Sequence, residues 1–454
     1  MASKQNTLRF EMPFGVADPV LVKPELGLAR AVRRQAPTRA VTLLDTHDHR
    51  LLRSGVVLAH RVSGELGEWY LDAPDWQPWL PSKRREPLGA SGDLPDELAG
   101  LVRPFRRRAP LGPAAALNQQ RIRWSLLDAD GNELARLRDQ QTTVRRAGTA
   151  TARYRQVTVR CDALDADQRT FVADAFAASG GTRVEEFPGL RERIGAPATG
   201  LTDFRAPREL GAKESLEGFA GWIFANRLNS LMRTDLGLRS GLDDDMDLLR
   251  EQLAELLDEV RSLAFALEPE WREQLEQELQ TLLAQMANHT IHQLGDEYFD
   301  VIDSLVLAAR APKLGNQSNE RARRAVRDQV IKLARIMFDR AQALTPDCPD
   351  ARWEATLTAA RQLSVLAHTG QLLFAKRARK MERALARVVE MLQASQMPPG
   401  VAQPRLDMNW DVATAFQEGR RYERRRAQCL AARQVFVEAW PDSERRLRQL
   451  KEAP

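Results

Sequence analysis

TLLDTHDHRLLRSGVVLAHR, residues 42–61, sets two short apolar runs on either side of a polar turn centred on Asp45-Thr46-His47-Asp48. The pattern predicts a strand, a turn with one helical twist, and a second strand. In the second run Val56, Leu58 and His60 fall on one side and Val57, Ala59 and Arg61 on the other, the period-two alternation of a half-buried strand. A basic residue, Arg61, therefore points the same way as two small apolar ones.

Before this stretch, Thr7 to Glu11 alternates as an opening strand, and Val20 to Arg34 reads as a helix after a proline and glycine turn. After it, Trp69-Tyr70-Leu71 predicts a third strand, and DAPDWQPWLPSKRRE is too rich in proline and tryptophan for a core strand. Leu94 to Arg106 reads as a short helix. Arg121 to Leu127 and Glu133 to Leu137 form a hairpin around Asp128-Ala-Asp-Gly131, Tyr154 to Cys161 is another strand, and Ala166 to Ser179 a helix. Many antiparallel strands with a few helices predict an α+β fold, its N-terminal half a closed or nearly closed β-barrel able to enclose a ligand.

Asp45-Thr46-x-Asp48 followed by Gly55-x-x-Leu58 and Arg61 resembles the entry of the CYTH fold, the triphosphate tunnel metalloenzymes, which include inorganic and thiamine triphosphatases and some adenylate cyclases. The resemblance spans residues 1–200: the hairpin Leu126 to Gly131 and the helix signal Leu94-Pro95-Asp96-Glu97-Leu98 fall in place. It implies a tunnel whose acidic residues hold Mg²⁺ or Mn²⁺ and whose cations clamp triphosphate. Several positions depart from that pattern. The opening Glu-x-Glu-x-Lys falls on Arg9, Glu11 and Pro13, a tunnel lysine on Asp72, and the late glutamates on Gln156 and Thr158. What the resemblance leaves is Glu11, Glu86 and Asp139 as metal candidates and Arg61, Arg84, Arg121, Arg136 and Arg138 as anion-binding candidates, with Arg123, Arg153 and Arg155 as further cations. One lost electrostatic partner typically costs about 100-fold to 1000-fold in rate, so the expectation is a pseudoenzyme.

Gly195-Ala-Pro-Ala-Thr-Gly and Ala206-Pro207 punctuate a linker, taken as 201–212, and from 213 to 454 the period becomes helical. Leu248, Leu249, Leu253, Leu256, Leu257, Val260 and Leu263 make one stripe. Further helices are expected over Trp271 to Leu294, Glu297 to Ala309, Glu320 to Ala343, Trp353 to Leu373, Lys376 to Leu392 and Ala413 to Trp440, an all-α bundle. Gly237-Leu-Arg-Ser-Gly241, read as a loop, Phe374 to Met381 and Ala415 to Arg420 resemble the CHAD domain, which accompanies CYTH in many bacterial proteins and binds polyphosphate. Its signature basic helix aligns near Glu251, Ala254, Asp258, Glu259 and Arg261, so its charge has largely reversed. Lys376, Lys380, Arg383 and Arg387 still share one helix face and are candidates for a polyanion. His289 and His292 have the spacing of a metal pair without a third ligand.

The chain has 454 residues, 43% of them hydrophobic, which suits two or three domains. Three distant cysteines, Cys161, Cys348 and Cys429, suggest a reduced, cytoplasmic setting. No apolar run reads as a signal peptide or a membrane span, so no membrane partner is expected. The net charge is +5, the pI near 9.3, and the excess of arginine suits phosphate-rich partners. The leading expectation is a protein that binds triphosphate, polyphosphate or a partner protein through a degenerate site. An active Mg²⁺- or Mn²⁺-dependent inorganic triphosphatase is the alternative, and sequence-independent nucleic-acid binding, for which no recognition motif speaks, comes third.

Overall fold

The computed structural model describes residues 6–81, 83–87, 93–211, 213–286, 289–315, 318–397 and 411–452. Ser82, Ala212 of the expected linker and Asn288 beside the two histidines lie outside them. The chain divides into two compact units: one runs to Arg205 and includes Met232–Asp244, and the other comprises Ala206–Leu231 and Asp245 onward.

The first unit is built on a ten-stranded antiparallel sheet. Its strands are β1 (Thr7–Met12), β2 (Arg30–Gln35), β3 (Arg39–Asp45), β4 (Val57–Ser63), β5 (Leu66–Asp72), β6 (Lys83–Pro87), β7 (Gly112–Leu127), β8 (Glu133–Arg146), β9 (Thr149–Arg160) and β10 (Thr182–Arg183). They run in the order β10-β1-β9-β8-β7-β3-β4-β5-β6, with β2 also on β7. The sheet is open: among the described residues β10 and β6 do not pair with each other, so the closure expected of a barrel is not made by these hydrogen bonds. Long β7 is the spine, pairing with β8 on one side and with β3 and β2 in succession on the other.

The helix expected over Val20–Arg34 is not there. Pro24–Leu26 is one 3-10 turn closed by Gly27 in the left-handed region, Lys23 bridges Leu28, and Arg30–Gln35 is extended against β7. Proline and glycine stop a helix from nucleating, and the RAVRRQ segment finds its hydrogen bonds across the sheet instead.

The 42–61 stretch forms β3, the single turn α1 (Arg50–Arg53) and β4. Buried Asp45 accepts hydrogen bonds from the backbone N–H groups of Thr46 (2.7 Å), Leu51 (2.9 Å) and Leu52 (2.9 Å). Thr46 Oγ1 donates to Asp48 (2.8 Å) and accepts from Arg50 N (3.0 Å). The Asp-Thr-x-Asp pattern is thus a cap for the orphan N–H groups of a short helix.

One face of the sheet packs on helices. Beyond α2 (Asp96–Arg106), helix α3 (Ala166–Ala178) lays Val172 and Phe176 on Leu8, Phe10, Leu137, Val157 and Val159, with the Phe10 and Phe176 rings stacked at 4.7 Å. Asp165 and Gln168 form a capping box at its start. On the opposite face, one end is filled by Val41, Leu43, Ala59, Tyr70, Leu117 and Val144 against Ile194 of α4 (Leu190–Ile194).

The second unit is helical: α5 (Leu216–Ser240), α6 (Met246–Ser262), α7 (Pro269–Gln285), α8 (Asp296–Arg310), α9 (Ala322–Gln342), α10 (Asp350–Thr369), α11 (Gln371–Phe374), α12 (Lys376–Ala394) and α13 (Val412–Glu452), the end of α5 belonging to the first unit. The α6 stripe is buried from Leu249 to Leu263, but Leu248 is exposed. Trp353, Phe436, Trp440 and Phe338 form an aromatic chain between α9, α10 and α13. Three helix boundaries differ from expectation. Helix α7 stops at Gln285 and a 3-10 turn over Ile291–Gln293 follows, capped by Thr290. A break at Gly370 separates α10 from α11. Gly237–Ser240, expected as a loop, ends α5 as helix. No helix among the described residues is long and apolar enough to cross a membrane.

Candidate anion-binding face

Directly opposed residues on antiparallel strands share a face, so the pairing register sorts every site candidate. Arg61 opposes Val41, which opposes Leu117. Further along β7, Arg39 opposes Gln119, and Arg121 opposes Gln140, which opposes Gln156 and then Glu11. The next row reads Arg34, Arg123, Arg138, Thr158, Arg9 across β2, β7, β8, β9 and β1. The row after it carries Ser125, Arg136 and Arg160. All of these lie on the face away from α3.

Adjacent strands are about 4.8 Å apart, so four guanidiniums stand in one row of five positions with no carboxylate among them. Among the described residues Arg34, Arg39, Arg121, Arg123 and Arg138 have no ion-pair partner. Burial, together with Arg138, Arg39, Arg123 and Arg61, pushes Arg121 down to about 10. Burial and the neighbouring Arg123 and Arg39 hold Arg138 below its usual range. Gln140 Oε1 accepts from both Arg121 (3.2 Å) and Arg138 (2.6 Å). Arg61 lies 3.1 Å from the Tyr70 ring centroid and 3.7 Å from Glu68, while Asp72 on the same face accepts from the Tyr70 hydroxyl at 2.7 Å; among the described residues the Nε atoms of Arg61 and Arg121 are buried without an acceptor. A cavity of about 580 Å³ opens on this face, lined by Arg34, Arg123, Arg136, Arg138 and Arg160 with Glu133, which pairs with Arg136.

Three candidates belong elsewhere. Arg84 and Glu86 oppose Leu71 and Trp69, on the other side of the sheet from Arg61 and Tyr70. There Arg84 pairs with Glu86 (2.8 Å) and Glu97, and these partners, Glu86 first, raise its pKa. Asp139 opposes Ile122 and Val157 on the helix-packed face. It receives Arg155 Nε (3.1 and 3.0 Å) and Nη2 (2.5 Å), while Arg155 also reaches Val16 O (2.6 Å) and Asp18. Burial alone would push the Arg155 guanidinium down, but Asp139 and Asp18 carry it up. Glu11 is on the arginine face, tied to Arg193. The three metal candidates therefore never meet, and among the described residues no three His, Cys, Asp or Glu side chains come together as a metal site. A divalent ion does not fit this donor set. His289 is engaged by Gln285 O at 2.5 Å.

Arg34 and Arg39 escape sequence reasoning, the first because its segment has the pattern of a helix set after a proline and glycine turn, the second because a lone arginine opening a strand carries no signal. Arg9 registered only as a missing glutamate.

In the second unit Lys376, Lys380, Arg383 and Arg387 are exposed along α12. A cavity of about 530 Å³ between α12 and α13 is lined by Lys380, Arg383, Arg387 and Arg446, with Asp442 and Ser443. Asp442 is itself 3.4 Å from Arg445. On α6, by contrast, Glu255 and Glu259 are taken up by Arg227, Glu259 at 2.7 and 2.8 Å.

No protein-family model matches the chain, and no curated protein is a significant match. Among solved structures, a candidate adenylate cyclase from Bacillus halodurans is similar at 13% identity over 35% of this chain and 82% of its own, with a TM-score of 0.24. A candidate adenylyl cyclase from Hippeastrum, whose dominant activity is that of a triphosphatase, is similar at 10% identity over 42% of this chain and 97% of its own, with a TM-score of 0.23. Scores of this size carry no argument about the site, which stands on the register above.

Proposed function

We propose that the arginine face of the sheet binds a compact phosphate-rich anion, inorganic triphosphate being the probe that fits its chemistry, through guanidinium groups and without a metal ion. The supporting observation is the row Arg34, Arg123, Arg138, Arg9. Like charges directly opposed on neighbouring strands destabilise a sheet, and a bound polyanion turns that repulsion into bidentate attraction. The loss of acidic residues at Arg9, Gln156 and Thr158, which resemble altered CYTH positions, supports binding in place of hydrolysis. Triphosphate is expected to bind equally well with chelator and with Mg²⁺ or Mn²⁺, and more weakly as salt rises. In a phosphate-release assay the expected turnover stays below about 1 per second, the low end of enzyme rates; faster metal-dependent turnover overturns the proposal.

The cationic cleft between α12 and α13 favours a second binding surface for extended polyphosphate. Changing Lys376, Lys380, Arg383 and Arg387 to glutamine is expected to flatten the salt dependence of polyphosphate binding, because counterion release scales with the cations engaged. Equal affinities and slopes in a low- and moderate-salt titration would make the stripe a solvated face.

A further inference from the structure

From Val412 to Gln428 helix α13 is exposed or half-exposed at every position, and burial begins only at Cys429, continuing through Arg433, Phe436, Trp440 and Leu447. The covered half is firmly held, with Arg433 donating to Ser395 O and Cys348 O, each at 3.2 Å. The outer 17 residues thus continue an anchored rod for about 26 Å at 1.5 Å per residue. Helical spacing gathers Gln417, Arg420, Arg421, Arg424, Arg425 and Gln428 on one exposed arc. Half-covered Tyr422 and buried Cys429 mark a different side as the one that packs. Among the described residues Arg420, Arg424 and Arg425 have no carboxylate partner, and Arg421 has only Glu418 at 3.7 Å.

We infer that this arc is a docking face for double-stranded DNA. Four guanidiniums along a straight helix match a backbone of closely spaced phosphates, and arginine and glutamine are side chains that also reach base edges. A helix about 10–12 Å across enters the roughly 12 Å major groove of B-form DNA, whereas the A-form groove of an RNA duplex is too deep and narrow for it. An acidic protein is the poorer fit, since the large apolar side chain beside the arc, exposed Phe416, lies at its edge with its ring centroid 5.7 Å from the Arg420 guanidinium and makes no dry centre of the kind protein interfaces need. The inference concerns a different element from the arginine face of the sheet and stands independently of it.

The test uses the full chain and a labelled mixed-sequence duplex of two helical turns, followed by anisotropy. With four phosphates neutralised, affinity is expected to fall about 150-fold between about 50 and 200 mM salt. The variant R420Q/R421Q/R424Q/R425Q is expected to lose that dependence with its helix content unchanged by circular dichroism, and R420K/R421K/R424K/R425K to keep it. Wild-type affinity and slope in the glutamine variant, or loss of binding in both variants alike, overturns the inference. So does displacement of the duplex by an RNA duplex or by polyphosphate of equal charge at equal concentration, which would show a surface blind to B-form shape. Triphosphate titration of the same variants reads the sheet face separately.

Discussion

Replacing Arg123 and Arg138 together by glutamine is expected to weaken triphosphate binding by about 100-fold to 10,000-fold while leaving the free protein at least as stable as the wild type. The two residues oppose each other across β7 and β8, and neither has an ion-pair partner among the described residues. A hydrogen bond to a charged group contributes about 1.5–3 kcal/mol, so two such partners amount to about 3–6 kcal/mol, at 1.4 kcal/mol per tenfold. In the free protein the change removes two directly opposed like-charge pairs, Arg34 with Arg123 and Arg123 with Arg138, and lessens the field on Arg121, a gain of about 0.2–1 kcal/mol for each pair. Calorimetric titration and urea unfolding measure the two effects. A structural role would move them together, so lost stability with unchanged affinity would refute the reading.

On the opposite face, Arg155→Met is expected to destabilise the protein by about 3–5 kcal/mol, because it strands the Asp139 carboxylate among apolar neighbours. The side chains of Arg155 and Asp139 are 1% and 3% exposed, so water cannot substitute. In the variant the lone buried acid takes up its proton more readily than in the unfolded chain, where aspartate titrates near 3.9. The penalty is therefore smallest below about pH 4 and grows as pH rises toward 7. Adding Asp139→Leu is expected to restore most of the loss, since an apolar pair fills the same site without desolvated charge. Urea denaturation at pH 4 and 7 measures both; a single variant with wild-type stability at pH 7 would show that the pair contributes nothing.

Strand parity made part of this site legible from sequence. Arg61 sharing a side with Val57 and Ala59 follows from alternation alone, and so do the pairs Arg121 with Arg123 and Arg136 with Arg138. The same parity sets Asp139 opposite to Arg138, a signal that was present and outweighed by the acid expected there. Arg84 and Glu86 were a different matter. The proline-rich stretch before β6 breaks the alternation, so only the pairing of Leu71 with Arg84 fixes which way these residues point. β2 was illegible because RAVRRQ has no apolar side of its own: its extended form comes from the free edge of β7. In the second unit the long apolar stripes located the helices, while the ends at Gln285 and Gly370 depend on caps and backbone turns that periodicity does not register.

The pairing of β1 with β9 also sets a timetable for synthesis. Thr7 meets Arg160 and Met12 meets Arg155, so about 150 residues must leave the ribosome before the first strand finds its neighbour, a wait of about 8–30 s at 5–20 residues per second. During that interval Leu8, Phe10 and Met12 have neither α3 nor β9 to cover them, and the strand offers an unfilled edge to any other extended chain. The helical unit has late contacts of its own, since Phe436 and Trp440 close on Trp353 and Phe338 only about 80–100 residues after those are made, but it leaves no strand edge unpaired while it waits. Crowded or stalled synthesis would therefore tell first on the sheet, through the strand that is made earliest and docked late.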